Sequence, residues 1–190
     1  VADEEEFEEG EPYDLDKLFG EGEPSEFERL FGRKPPGRPD RESDQEPDER
    51  RVEEREVRVV GVYEHQEPGG APSTPFVLLR DNKGRSVLIW IGRFEAWSIS
   101  LALENAPPER PLTHDLIKNI LDKTGWKVER VLIDDLFNET YYAKITVAKN
   151  GDVLEIDSRP SDAIAVGLRA KAPIYMAESV LQQAAVYEEF

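Results

Sequence analysis

Apolar and polar residues alternate from Val57 to Val62, and a period of two predicts a strand. A stretch carrying Gly69, Gly70, Pro72 and Pro75 follows as a loop. Two apolar runs, Phe76 to Leu79 and Val87 to Ile91, then flank Asp81-Asn82-Lys83-Gly84-Arg85, the pattern of a β-hairpin. Glu95 to Leu103 reads as a buried helix, broken by Pro107 and Pro108. A second helix starts at Thr113, carries Leu116, Ile117, Ile120 and Leu121 on one side, and stops at Gly125. Val128 to Leu136 and Tyr141 to Val147 are strands, and Asn150-Gly151 turns the chain into a third, Val153 to Ile156. Pro160 is tolerated only near a helix start, so a helix begins around Ser158 to Ser161. Ala163, Val166, Gly167 and Ala170 give that helix a small-residue stripe, and Ile164 and Leu168 a second apolar line, so it is expected to be buried almost all round. After Pro173-Ile174-Tyr175, Glu178 to Tyr187 reads as the last helix.

The order of elements repeats. Val87 to Leu101 can be laid on Val153 to Leu168 with one inserted residue, matching Arg93 to Arg159 and Glu95 to Asp162. The expected fold is α+β, two β-β-β-α-α repeats forming a largely antiparallel or mixed sheet with packed helices.

Charge divides the chain. Of a net −17 over 190 residues, residues 1–56 hold 22 acidic and 9 basic side chains, and residues 57–190 are only slightly negative. The first segment has too few apolar residues to offset the entropy of ordering them, so 1–56 is expected to be an acidic disordered tail and linker, with the folded domain at 57–190. Within the tail, Asp14-Leu15-Asp16-Lys17-Leu18-Phe19-Gly20 recurs as Glu26-Phe27-Glu28-Arg29-Leu30-Phe31-Gly32. Each unit places apolar residues at i, i+3 and i+4 and is suited to a groove on a protein partner. The absence of cysteine excludes disulfides and thiolate chemistry. No apolar run approaches a membrane span and the start is acidic, so a soluble cytoplasmic protein without a membrane partner is expected. The last helix offers Val180, Leu181, Ala184, Ala185 and Tyr187 as a homo-oligomer surface, most simply a dimer.

Chemistry concentrates at the strand-to-helix corners. Asp157, Arg159, Ser161 and Asp162 surround one helix start, Arg93 and Glu95 the matching one, and Arg110, Thr113, His114 and Asp115 the helix between. Ser158 or Ser161, and Thr113, also suit plain helix caps, and Asp115 and Asp162 the helix dipole. The functional alternative joins His114, a carboxylate and cations into an acid/base or oxygen-ligand metal site. Phosphate-loop, dinucleotide and nucleophile-elbow patterns are absent, and no organic cofactor is indicated.

Three segments in order, V-L-I-W-I-G-R-F-E-A from Val87, R-P-L-T-H-D-L from Arg110 and D-S-R-P-S-D-A-I from Asp157, resemble the bifunctional nuclease domain family. The resemblance covers about Val57 to Glu188, and Leu88 and Trp97 depart from its pattern. It implies a hydrolase with DNase or RNase activity that cleaves phosphodiester bonds. Glu95, Asp157 and Asp162 would then be ligands for Mg²⁺ or Mn²⁺, and His114, Asp115, Asp157, Arg159 and Asp162 catalytic. Arg93, Arg110, Thr113 and Ser161 would face the nucleic acid, with Arg159 or Arg110 steadying the phosphate. The competing expectation is a non-catalytic regulatory or scaffolding domain whose polar motifs are ion pairs and caps.

Overall fold

A computed structural model describes residues 53–66 and 72–186. The Leu-Phe-Gly units of the tail and Tyr187 lie outside the described residues. Strands β1 (Glu54–His65), β2 (Thr74–Asp81) and β3 (Ser86–Trp90) lead into helices α1 (Arg93–Leu103) and α2 (Thr113–Thr124). Strands β4 (Lys127–Phe137), β5 (Thr140–Lys149) and β6 (Asp152–Ser158) lead into α3 (Pro160–Ala170), then β7 (Ile174–Ala177) and α4 (Glu178–Ala184). One mixed sheet runs β3-β2-β1-β7-β4-β5-β6, antiparallel throughout except for the parallel β4/β7 pair.

The α+β class holds, and two differences from expectation have physical causes. β1 begins at Glu54, three residues ahead of Val57, because Glu54 to Val57 pair with Ala177 to Ile174. Backbone pairing is indifferent to the acidic side chains that make this stretch read as tail. β7 joins the sheet, although its four residues are too short to show a period. It inserts between the meanders β3-β2-β1 and β4-β5-β6, so the halves diverge after α3.

Positive φ values at Asn150 (53°) and Gly151 (96°) make the expected tight turn into β6, because that turn requires left-handed backbone at both central residues. Strand alternation sends Val77, Leu79, Val87, Ile89, Val131, Ile133, Ile145 and Val147 to one face, where α1 and α3 pack. The sheet curls toward this face until the Tyr141 hydroxyl on β5 reaches the Leu88 carbonyl on β3, 3.5 Å away. Ser86, at the start of β3, exchanges two backbone hydrogen bonds with Val186.

α3 is the central helix. Ala163, Ile164, Ala165, Val166 and Gly167 are all buried, as the small-residue stripe predicts. α4 turns Val180 and Leu181, each 1% exposed, into the same core, with Ala184 and Ala185 packed partly buried against it, so these four residues of the expected oligomer surface serve the chain's own core. α2 does the reverse. Leu116, Ile117 and Ile120 stay exposed, and the helix docks instead through its first turn, where His114 is the buried residue.

A buried ionic knot seats α4. Arg85 donates from Nε to Asp81 at 2.8 Å and from Nη1 and Nη2 to Glu178 at 2.6 and 3.0 Å, and Arg55 donates to Glu178 at 3.1 Å. These hydrogen bonds, from Arg85 first and then Arg55, hold the Glu178 carboxyl down at about 2. No helix among the described residues is long and apolar enough to cross a membrane.

The seat of α3 is testable at Gly167. A Cβ there would lie 2.8 Å from Cγ2 of Val131, a fully buried β-branched side chain in the sheet. Gly167→Ala should therefore cost about 1–3 kcal/mol through overpacking, despite the better helix propensity of alanine, as read by urea denaturation.

Candidate functional site

The site grows from the start of α3. β6 ends at Ser158, Arg159 is the N-cap in extended conformation, and Pro160 occupies the first turn. No side chain caps this helix, so Ser158 and Ser161 are not the caps their position suggests. The Ser158 hydroxyl donates to the Arg159 carbonyl, and Ser161 is buried under the corner. Three residues past the cap, Asp162 receives Arg159 Nε on Oδ2 at 2.7 Å and Nη2 on Oδ1 at 3.0 Å. The same Nη2 donates to Glu95 Oε1 on α1 at 2.9 Å. Glu95 folds back over Gly92, where a Cβ would stand 2.3 Å from Oε2, so a larger residue there would push the carboxylate aside.

α2 contributes the histidine. His114 Nε2 lies 3.0 Å from Asp162 Oδ1, and Nδ1 lies 2.8 Å from Ser98 Oγ on α1. An ionised carboxylate only accepts, so Nε2 carries a proton. The Ser98 hydroxyl both donates and accepts, so it satisfies Nδ1 in the neutral ring and in the imidazolium. Ser98, His114, Asp162, Arg159 and Glu95 thus form one chain of contacts joining the starts of α2 and α3 to α1.

Burial alone would raise the Asp162 pKa; hydrogen bonds from Arg159 and His114, with their charges, outweigh it and hold the carboxyl below its ordinary value. Arg159 is two-thirds exposed (67%), whereas Glu95 and His114 are 19% and 10% exposed. A cation therefore stands at the surface above a shielded histidine and carboxylate. The groove in front of it, about 580 Å³, runs between α2 and β6 and is bordered by Thr113, His114, Ile117, Ile156, Asp157 and Asp162. A second recess of about 360 Å³, bordered by Phe94, Glu95, Trp97, Ser98, His114 and Arg159, opens on the α1 side.

Not every expected residue joins this network. Asp115 accepts the Leu112 N–H on Oδ2 at 2.9 Å and Arg169 Nε on Oδ1 at 2.6 Å. It thereby caps α2 in place of Thr113, and its carboxyl is held low by those donors against the upward push of burial. Arg169, 7% exposed, also donates to the carbonyls of Ser98 and Ala165, locking α1, α2 and α3 together. Arg93 sits exposed at the first turn of α1 and donates to the Ser73 carbonyl at 3.3 Å. Arg110 is exposed in the loop before α2.

Asp157 borders the groove, yet it pairs in register with Lys144, on the opposite sheet face from Ile156. Among the described residues no three His, Cys, Asp or Glu side chains gather to hold a metal ion. Strand alternation turns Asp157 aside, and Arg159 already occupies Glu95 and Asp162. The donor set therefore fits a guanidinium better than a preformed divalent-cation site.

Ser98 and Arg169 were not among the expected site residues. The trace of Ser98 is a serine one turn after Glu95 on a helix read as buried, where a hydroxyl needs a partner. Arg169 is the cation in the last turn of α3.

An α+β domain with a histidine, a carboxylate and an arginine drawn together by three helix starts is what fold and site define. Residues 77–189 match the bifunctional nuclease domain, and the chain belongs to that family. An uncharacterized protein of Mycobacterium tuberculosis is 42% identical over 130 residues, 68% of this chain and 75% of that one. Bifunctional nuclease 2 of Oryza sativa subsp. japonica is 36% identical over 118 residues, 60% of this chain and 36% of the rice protein. Bifunctional nuclease 1 of Arabidopsis thaliana is 33% identical over 131 residues, 63% of this chain and 39% of the plant protein. The chain thus spans well under half the length of these plant relatives.

The ion pairs give a pH test with a definite sign. A lowered Asp162 pKa means stability that is present above the unfolded value, about 3.9, and is lost as pH falls through the folded value. Asp162→Asn should cost about 1 kcal/mol at neutral pH, a modest figure because the group is partly exposed, with the difference from wild type shrinking as pH falls through the folded value of Asp162. Denaturant melts of both proteins across this range check it.

Proposed function

We propose that this domain hydrolyses phosphodiester bonds in nucleic acid, with the His114–Asp162 pair as its proton-handling unit and Arg159 as its phosphate contact. The observation that carries the reading is the shared Asp162 carboxylate, which holds His114 Nε2 on one side and the exposed Arg159 guanidinium on the other. Membership of the bifunctional nuclease domain family supports the substrate class.

In this reading a phosphate docks on Arg159, whose planar donors suit phosphate oxygens and offset the charge that builds as water adds to phosphorus. His114, as imidazolium, gives its Nε2 proton to the leaving oxygen while the phosphorus–oxygen bond breaks. The attacking water adds from the opposite, solvent side and loses its proton to solvent, and Nε2 is reprotonated from solvent, with the Asp162 carboxylate 3.0 Å away favouring the imidazolium. Ser98 satisfies Nδ1 throughout, so the ring need not move. Mg²⁺ or Mn²⁺ is tested as an addition only: Glu95 and Asp162 would have to release Arg159 to bind it, and no step is assigned to an ion.

Purified full-length chain, assayed on RNA and on single-stranded and duplex DNA with and without Mg²⁺ or Mn²⁺, tests the proposal. His114→Ala should lower kcat about 100-fold or more, the usual worth of a positioned acid. Arg159→Ala should lower kcat/KM by a similar factor, with Arg159→Lys recovering only part of it. Asp157→Asn should leave turnover within a few-fold of wild type. Absence of cleavage under every condition would favour the non-catalytic reading, and full activity in His114→Ala would remove the site proposed here.

A further inference from the structure

Large aromatic side chains stand in water beside the site. Phe94, in the first turn of α1, is 85% exposed, and Trp97, one turn on along the same helix face, is 53% exposed. Trp90, at the end of β3, is 55% exposed and packs edge-on against Phe76 with ring centroids 5.2 Å apart. These rings cover no core. They are also not scattered, because Phe94 and Trp97 border the recess that contains Glu95, Ser98, His114 and Arg159, while Trp90 borders a neighbouring recess of about 420 Å³ that Arg159 also lines. The exposed guanidinium is therefore common to two aromatic-bordered recesses.

We infer that Phe94, Trp97 and Trp90 are a stacking platform for unpaired bases, so that the strand presented to Arg159 is single-stranded DNA or RNA. The inference rests on the phosphodiester reading of the site. Aromatic faces beside a phosphate-binding cation match the alternation of base and phosphate along one strand. A duplex keeps its bases stacked inside and offers these rings nothing to stack on. Charge points the same way. Arg159 is shared between two carboxylates and residues 57–190 are slightly negative, so attraction to the phosphate backbone is weak and base stacking has to supply the affinity. Binding should accordingly show a shallow salt dependence, unlike that of a basic nucleic-acid groove.

The experiment uses the full chain in EDTA with probes whose linkages are phosphorothioates, so that the strand is bound while cleavage, with or without a cation, is held off. Probes are a fluorescein-labelled 12-nucleotide single strand, the blunt duplex of the same sequence, and a strand of equal length built from abasic sites. Wild type should bind the single strand about tenfold or more tightly than either other probe, with tryptophan quenching. Phe94→Ala/Trp97→Ala should lose about tenfold on the single strand and little on the abasic strand, whereas Phe94→Tyr/Trp97→Phe should keep the preference. The replaced rings are exposed, and unchanged far-UV circular dichroism will confirm that the variants fold. Equal affinity for single and abasic strands overturns the inference, as does unchanged binding by the alanine pair. So does a shift of the alanine pair from dimer to monomer in sedimentation without a change in binding, which would make the rings a self-association surface. His114→Ala keeps the two readings apart: it should lower cleavage about 100-fold or more while leaving the preference for the single strand over the abasic strand in place. A base-dependent binder that never cleaves sustains the platform and removes the nuclease.

Discussion

The close seat of α3 on the sheet is the constraint on which the rest depends. Gly167 lets the helix backbone approach Val131, and the flanking small residues let α1 lie along it. A larger residue would lift α3 from β4 and carry Arg159 and Asp162 away from α1 and α2. Because the interior is packed to near-crystalline density, a helix held on several sides at once fixes the position of its first turn to within a fraction of an ångström. The polar corner inherits that precision.

That corner converts packing into electrostatics. Three helices deliver Ser98 and Glu95, His114, and Arg159 and Asp162, and no two of the three sets come from the same helix. Arg159 is the pivot because a guanidinium can serve two carboxylates with separate donors, which a lysine ammonium does without the same fixed geometry. Behind it, Arg169 and Asp115 tie the same helices by a second link, 7% and 24% exposed, which contacts no part of the groove. Two residues that read alike in sequence, Asp115 and Asp162, thus have different work. One closes a helix end and holds the scaffold, and the other faces the cavity and couples histidine to arginine.

The sheet makes a parallel distinction at its far end. Arg55, Arg85, Asp81 and Glu178 form a knot that anchors β1, the β2–β3 turn and α4. Arg85 and Asp81 are buried and every member of the knot has a partner within it, so it reads as architecture. The α3 corner has an exposed cation, bordering recesses and exposed rings, and these separate a candidate site from an ion pair of equal strength.

Local patterns determined much of this protein. The period of two in β1, the apolar runs of β2 and β3, the Asn150-Gly151 turn, Gly125 as the stop of α2 and the buried character of α3 follow from steric and hydrophobic rules that act over a few residues, so they were legible before any fold was drawn. The gathering of chemistry-bearing residues at the starts of α1, α2 and α3 was legible too. What tertiary structure alone decided is which of those groups meet. β7 exists because β1 and β4 leave a slot between them, and four residues have no pattern of their own. The side chain of Asp157 is set on the Lys144 face by its register against β5, a relation between distant segments. Ser98 becomes a partner of His114 only when α2 docks by its first turn instead of by its apolar stripe. Sequence spacing specifies the face of an element on which a residue lies, and only packing specifies what that face touches.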